Sequence, residues 1–203
     1  MKKHGHWIFI AAVVILPLTV FAVVKWYENQ FTRLPVLVSQ EHRVGDFNLT
    51  NQYGKTISLK DWNDKIVVAN FFFTHCPVVC PKMMRNLVKV QNVYRNDKNF
   101  LITSFSVDPE RDTVAQLQNF ASRMNVEGAW HLLTGSKKEI YAMARKSFRV
   151  TATDGDGGPQ DFIHSESLVL VDKQGRIRGY YNGTNDTEVA NLIRDINRLQ
   201  KEN

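Results

Sequence analysis

The apolar residues of the chain form one long unbroken run near the N-terminus and, after it, short runs separated by polar turns. The long run, residues 7–24, contains 18 residues without a charge. As a helix it would measure about 27 Å, close to the hydrocarbon thickness of a bilayer. Lys2 and Lys3 precede it, and basic residues favour the cytoplasmic side of a membrane. The pattern predicts a transmembrane anchor at 7–24, with residues 1–6 in the cytoplasm and the remaining chain on the periplasmic side of the cell inner membrane.

A cleaved signal peptide is the alternative interpretation of this run, because Ala22 provides a small-residue cleavage site. The run is longer than the usual roughly 7–15 residues of a signal h-region, which favours the anchor. Both interpretations place the domain on the extracytoplasmic side, and whether the helix is retained stays open. Residues 25–43 carry Pro35 and show no sustained period, which indicates a linker.

The short runs that follow alternate between strand and helix periods. The predicted elements are a β-hairpin at 46–59, a strand at 65–73, a helix from Pro81, a strand at 99–107, a helix at 114–124, a strand at 130–134, a helix at 137–147, a hairpin at 165–181 and a helix from Asp186. A βαβ half followed by a ββα half is the arrangement of a thioredoxin-like α/β fold, here with an added N-terminal β-hairpin. The domain is predicted to span 44–203.

Charge adds little to this picture. Lys and Arg total 26 against 20 Asp and Glu, which gives a net charge of +6. No basic block or aromatic-basic ladder indicates nucleic acid, and the excess favours an acidic partner or anionic lipid.

Both cysteines, Cys76 and Cys80, lie in the turn between the first central strand and its helix. Unpaired N–H groups and the helix dipole stabilise a thiolate at such a position, so we predict a lowered pKa for Cys80. A structural disulfide is the common use of two cysteines in an exported protein. A bridge across so short a loop stabilises little, and the C-x-x-x-C spacing therefore favours redox cycling or soft-metal binding.

The string THCPVVCP at 74–81, together with DPERDT at 108–113 and FIHSE at 162–166, resembles the Sco/SenC family of membrane-anchored copper chaperones. The likeness runs from about Val44 to the C-terminus. It implies that Cys76, Cys80 and His164 bind copper, and that the partner is the copper-bearing subunit of cytochrome c oxidase.

The chain departs from the family pattern at Val78 and Ile163, where acidic residues are common. Both changes remove negative charge near the metal, and their effect on affinity and partner electrostatics stays open. Two thiolates and an imidazole form a soft ligand set, which selects copper(I), zinc or iron–sulfur clusters. Structural zinc and iron–sulfur sites usually need four protein ligands, so copper is the metal that best fits a set of two thiolates and one imidazole.

The other histidines are poorer ligand candidates than His164. Two precede the anchor, one lies in the linker, one has a side chain expected to diverge from that of Cys76, and one is expected to be structural. They are His4, His6, His42, His75 and His131.

Three further features have ordinary structural explanations. Asp112 or Thr113 is expected to cap the helix at 114–124, and the family resemblance makes the same segment a rim of the site. Met83 and Met84 are expected in the core rather than as thioether ligands. The acidic loop at 154–161 lacks the ligand pattern of a calcium site and is interpreted as a lip over the site.

The favoured function is a copper metallochaperone, which needs no turnover and no catalytic residue. The alternative is an extracytoplasmic thiol-disulfide oxidoreductase, in which Cys76 and Cys80 form the redox-active pair and a thiol reductant protein is a partner. A peroxidase is a third and weaker interpretation. The copper oxidation state and affinity, and the resting state of the cysteines, are left open.

Overall fold

The computed structural model describes residues 13–26, 33–39, 41–150 and 165–202, which belong to two compact units. The first unit contains helix α1, which covers residues 13–26. In these described ranges, no helix combines the length and the apolar character needed to cross a membrane. The predicted anchor at 7–24 lies partly outside them.

The second unit, Pro35–Lys201, is built on one mixed sheet. Its strands are β1 (Asn48–Asn51), β2 (Thr56–Ser58), β3 (Ile66–Phe72), β4 (Phe100–Ser106), β5 (Trp130–Thr134), β6 (Ser167–Val171) and β7 (Ile177–Asn182). Its helices are α2 (Val79–Val93), α3 (Val114–Met124), α4 (Lys137–Ala142) and α5 (Asp186–Lys201), with a 3-10 helix at Leu59–Trp62 and a π-helix at Met143–Ser147.

The strand order is β2-β1-β5-β4-β3-β6-β7. Strand β4 pairs in parallel with β3 and with β5, whereas the two hairpins, β1 with β2 and β6 with β7, are antiparallel. This connectivity confirms the predicted thioredoxin-like arrangement with its N-terminal β-hairpin. In the second hairpin, Gly175 adopts a left-handed φ of 74°, and its N–H donates to the Asp172 carbonyl at 2.9 Å.

Strand β3 is the centre of the core, since every one of its residues is buried. Successive side chains of a strand point to opposite faces of the sheet. On one face the Phe71 ring stacks on Phe105 at a centroid distance of 5.2 Å and meets the edge of Phe148 at 5.5 Å. On the other face Phe72 packs against Phe120 of α3 at 5.5 Å. The end of β3, where the cysteine turn begins, is thus held from both sides.

The C-terminal part of the predicted linker, from Pro35, belongs to the second unit. The Leu37 N–H donates to the Ile177 carbonyl at 3.0 Å, and the Arg178 guanidinium donates to the Pro35 carbonyl at 3.2 Å. Val44 adds a bond from its N–H to the Gly175 carbonyl at 2.9 Å. The chain from Pro35 onward therefore runs beside β7 before β1 begins.

Candidate metal and thiol site

The turn that carries the cysteines joins the end of β3 to the start of α2. Helix α2 begins at Val79, two residues before the predicted start at Pro81, so Cys80 is its second residue. The N-cap residue, Val78, has no side-chain hydrogen bond to the helix. The Cys76 sulfur takes that role, because it accepts the Cys80 N–H at 3.3 Å. Sulfur capping explains why the helix starts earlier than residue type alone indicates.

Cys76 is the more acidic of the two thiols. Its partial burial opposes ionisation, yet its pKa is lowered because several hydrogen bonds together outweigh that effect. The donors are the Cys80 N–H, the Cys80 thiol and the N–H groups of Val78 and Val79. Free N–H groups at a helix start point outward along the helix axis, and the Cys76 sulfur lies in front of them. Cys76 is therefore the cysteine of the pair that ionises more readily.

Cys80 behaves in the opposite way, and the predicted lowering of its pKa is wrong. Only 5% of Cys80 is exposed. Burial raises the pKa of Cys80 to about 12, against the hydrogen bond from Phe73 and with smaller contributions from Cys76 and Asp112. Because Cys80 already belongs to the first helical turn, the free N–H groups point away from it and towards Cys76. The two cysteines are not joined by a disulfide in this structure.

A cavity of about 400 Å³ opens beside the two sulfurs. Its wall is largely apolar and comes mainly from the end of β3, the cysteine turn and the two residues just before β6. Cys76 and Cys80 line it together with Ser165 and Glu166. At its rim Val78 is 71% exposed, which leaves an apolar side chain in solvent next to the cysteines.

His164, the predicted third ligand, lies outside the described residues, as do Ile163 and the acidic loop at 154–161. The two residues that directly follow His164 are among those that line the cavity. In the described part of the chain, no group of three or more His, Cys, Asp or Glu side chains could hold a metal ion.

Asp112 is a site residue whose contact sequence analysis missed. Its carboxylate is fully buried and accepts the Thr74 hydroxyl at 2.6 Å, the Thr74 N–H at 3.1 Å and the Ser106 hydroxyl at 2.6 Å. Thr113 is the N-cap of α3 and accepts the Gln116 N–H at 3.3 Å. This confirms the second of the two predicted caps. Strand topology could have predicted this contact. Thr74 follows β3 and Asp112 follows β4, and the carboxyl ends of neighbouring parallel strands meet at one edge of a sheet.

The other candidate histidines do not approach the sulfurs through a described contact. The half-exposed His75 side chain has Nδ1 3.1 Å from the Thr74 hydroxyl and 3.9 Å from Asp112. His131 contacts the Asn51 amide at 3.3 Å, and burial is the main cause that lowers its pKa. His42 contacts a backbone carbonyl in the π-helix at 2.8 Å. His4 and His6 lie outside the described residues.

The methionines next to the site are core residues, as predicted. Met83 and Met84 are both fully buried. The Met83 sulfur accepts a weak hydrogen bond from the Asn70 amide at 3.9 Å, beneath α2. That contact directs its thioether into the sheet.

In comparisons with known proteins, residues 37–201 match a family model described as SCO1/SenC. A curated relative, the SCO1 protein homolog of Bacillus subtilis, is 35% identical over 158 residues, which cover 76% of this chain and 81% of the relative.

Two solved structures share the fold at comparable identity. BsSco, described as a member of the Sco family of cytochrome c oxidase assembly proteins with a disulfide switch, is 33% identical with a TM-score of 0.68, covering 80% of this chain and 95% of that one. Copper-bound ScoI of Bradyrhizobium japonicum is 30% identical with a TM-score of 0.60, covering 75% of this chain and 98% of that one.

Proposed function

Because the chain belongs to the SCO1/SenC family, we propose that it is a membrane-anchored copper metallochaperone that binds copper through Cys76, Cys80 and His164. One observation carries the proposal: both cysteines line the same cavity as Ser165 and Glu166, which directly follow His164 in the chain. The two residues that precede β6 therefore lie in the wall of the cavity that the cysteines also line, which supports His164 as the third ligand.

The donor set suits a copper cargo. Thiolate sulfur is a soft ligand that favours copper(I), and metal binding requires both thiols to lose their protons. Cys76 has a lowered pKa and loses its proton more readily, whereas Cys80 must release its proton against the effect of burial as the ion binds. The positive ion then offsets the cost of placing a second thiolate in a buried position.

The relatives support this cargo and its destination. Copper is bound in the related ScoI, and BsSco is described as a cytochrome c oxidase assembly protein. We propose that copper passes by ligand exchange to the oxidase subunit that carries the dinuclear copper centre. The exposed Val78 and the apolar cavity wall beside the sulfurs offer a surface on which that subunit can dock.

The anchor completes the proposal. The uncharged run at 7–24 with Lys2 and Lys3 before it supports a single span and an extracytoplasmic domain. Alkaline carbonate extraction of membranes from cells that express the full chain tests this point. The protein should stay in the membrane pellet, and recovery in the carbonate supernatant would contradict the anchor. Protease added to spheroplasts should digest the domain, because the domain is expected on the extracytoplasmic side.

Anaerobic titration of the reduced full chain, in detergent, against a competing copper(I) chelator tests the cargo. One copper(I) ion per chain should bind tightly, and His164→Ala should weaken binding by at least tenfold. His75→Ala is the matched control, because its imidazole is directed to Thr74 and Asp112, and it should bind like the parent chain. Unchanged affinity in His164→Ala would overturn the ligand assignment.

A second function, thiol-disulfide exchange, is favoured by the unequal acidity of the cysteines. The Cys76 thiolate would attack a partner disulfide, and one partner thiolate would leave as the mixed disulfide forms. Cys80 would then lose its proton and displace the second partner sulfur, giving a Cys76/Cys80 disulfide and a partner dithiol, while a thiol reductant restores the pair. His164→Ala should leave this exchange rate unchanged, which separates the two functions.

A further inference from the structure

One carboxylate lies in the wall of the cavity beside the two sulfurs. Of the described residues that line this cavity, Glu166 is the only Asp, Glu, Lys or Arg, and the others are largely aromatic and aliphatic. Cys76 and Cys80 line the same cavity. An apolar wall screens a charge poorly, so the carboxylate acts on whatever ion occupies the space next to the sulfurs.

The side chain of Glu166 is held in place by the turn at the end of β7. One carboxylate oxygen, Oε2, accepts the Asn182 amide at 3.2 Å and lies 3.0 Å from the Thr184 hydroxyl. The Gly183 N–H donates to the Glu166 carbonyl at 2.7 Å. The turn therefore fixes both the backbone and the side chain of Glu166.

The same turn is tied to α2, the helix that carries Cys80. The Asn86 amide of α2 donates to the Gly183 carbonyl at 3.0 Å. A Cβ on Gly183 would lie 2.7 Å from Met83 Cγ, so the turn and the helix approach each other closely. Asn86 and Met83 are both buried, and through them the position of Glu166 is fixed relative to Cys80.

No basic side chain in the described ranges is paired with Glu166. Among these residues its carboxylate forms no ion pair, and its second oxygen, Oε1, accepts no hydrogen bond. A carboxylate beside an apolar surface is better stabilised when a cation lies nearby, although Glu166 is exposed and solvent lessens the cost of an empty cavity. In the described part of the chain Glu166 does not complete a three-residue metal-binding group with the two cysteines. An ion at the sulfurs would therefore interact with this charge from outside its ligand set.

We propose that Glu166 is an affinity-determining residue of the copper site, whose carboxylate stabilises a cation held by Cys76 and Cys80 without being a ligand. The inference rests on the proposed function, because copper(I) is the cargo assigned to the two sulfurs. Coulomb attraction to one fixed negative charge favours the copper-loaded chain over the empty one.

The test is an anaerobic copper(I) titration of the reduced full chain, in detergent at pH 7 and an ionic strength of about 0.01 M, where the Debye length is about 30 Å. Glu166→Gln removes the charge and keeps an amide oxygen for the contacts with Asn182 and Thr184. We expect its affinity for copper(I) to fall about two- to fivefold, the effect of one unit charge about 10 Å away near a protein surface. Glu127→Gln is the matched control and should change the affinity less than twofold. Glu127 pairs with Arg95 and precedes β5, at the end of the parallel strands opposite to the cysteine turn.

Two further measurements separate a charge effect from other roles of Glu166. Glu166→Asp keeps the charge and should bind copper(I) within twofold of the parent chain. In about 1 M sodium nitrate the Debye length is about 3 Å, and the loss of affinity in Glu166→Gln should disappear.

A Glu166→Gln chain that binds copper(I) within twofold of the parent at low salt would overturn the proposal. Equal losses in Glu166→Gln and Glu166→Asp would also overturn it, as would a loss that persists at high salt, because an oxygen ligand rather than an outer charge would then have been removed. His164→Ala tests the ligand set separately. A parent chain that binds tightly while Glu166→Gln matches it therefore contradicts this inference alone, whereas a parent chain that binds no copper(I) contradicts the proposed function as well.

Discussion

The unequal acidity of the two cysteines can be tested by selective alkylation. A substoichiometric amount of iodoacetamide is added anaerobically to the reduced full chain at pH 7. Alkylation consumes the thiolate, so its rate follows the fraction of each cysteine that is ionised. We expect Cys76 to be labelled and Cys80 to remain a thiol.

The size of the effect follows from the Cys80 environment. With its pKa raised to about 12, Cys80 would be ionised to a fraction of about 10⁻⁵ at pH 7. An ordinary thiol, with a pKa near 8.5, is about 3% ionised at that pH, and the Cys76 fraction is larger because its pKa is lowered. The rates should therefore differ by a factor on the order of 10³. Steric access acts in the same direction, since Cys80 is 5% exposed.

Mass spectrometry of the tryptic peptide 66–82 resolves the outcome, because fragmentation between the two cysteines locates the label. Cys80→Ser should react within about tenfold of the parent chain, whereas Cys76→Ser should react at least about a hundredfold more slowly. As the pH falls, labelling of Cys76 should persist below the range of an ordinary thiol and decline only through its lowered pKa. Equal labelling of the two cysteines, or labelling of Cys80 first, would refute the assignment.

Three further predictions concern the scaffold that holds the site, and urea unfolding of the reduced chain measures each. Phe71→Ala should lower the free energy of unfolding by about 3–5 kcal/mol by opening a cavity in the aromatic core, and a loss below about 1 kcal/mol would contradict that core. Gly183→Ala should cost about 1–3 kcal/mol, since its Cβ would lie 2.7 Å from Met83 Cγ; a neutral effect would show that α2 gives way easily. Thr113→Ala should cost about 1 kcal/mol through loss of the bond to the Gln116 N–H, and Thr113→Ser should restore most of it.

The sequence was sufficient to predict the central strands. The runs at 65–73 and 99–107 are rich in apolar, β-branched and aromatic residues, and the strands that they contain are buried at every residue. The helix at 137–147 was also predicted, although its second half is a π-helix, which residue spacing does not distinguish from a continued α-helix.

The electrostatics of the turn could not be read from spacing. Which sulfur receives the free N–H groups depends on where α2 starts, and a start at Val79 rather than Pro81 moves Cys80 from the edge of the helix into its first turn. Sulfur is not among the ordinary capping groups, so the sequence contained no signal for that shift. The contact from Asp112 to Thr74 joins residues 38 positions apart and depends on strand pairing.

The segment beside β7 was missed for a different reason. From Pro35 the chain is held by backbone hydrogen bonds and by one carbonyl contact with Arg178. Hydrogen bonds from backbone groups do not depend on residue type, and the sequence there shows no hydrophobic period. The pattern therefore could not predict this contact. The position of this segment is set by its hydrogen bonds to the edge strand β7.

The two cysteines of the turn differ in how readily they lose their protons. Cys76 has a lowered pKa and lies in front of the free N–H groups of α2, whereas burial raises the pKa of Cys80. Copper binding through both sulfurs and formation of a Cys76/Cys80 disulfide would each require Cys80 to lose its proton as well. Deprotonation of the buried thiol should therefore limit both proposed functions, and the alkylation experiment, which measures the two thiols separately, bears on both.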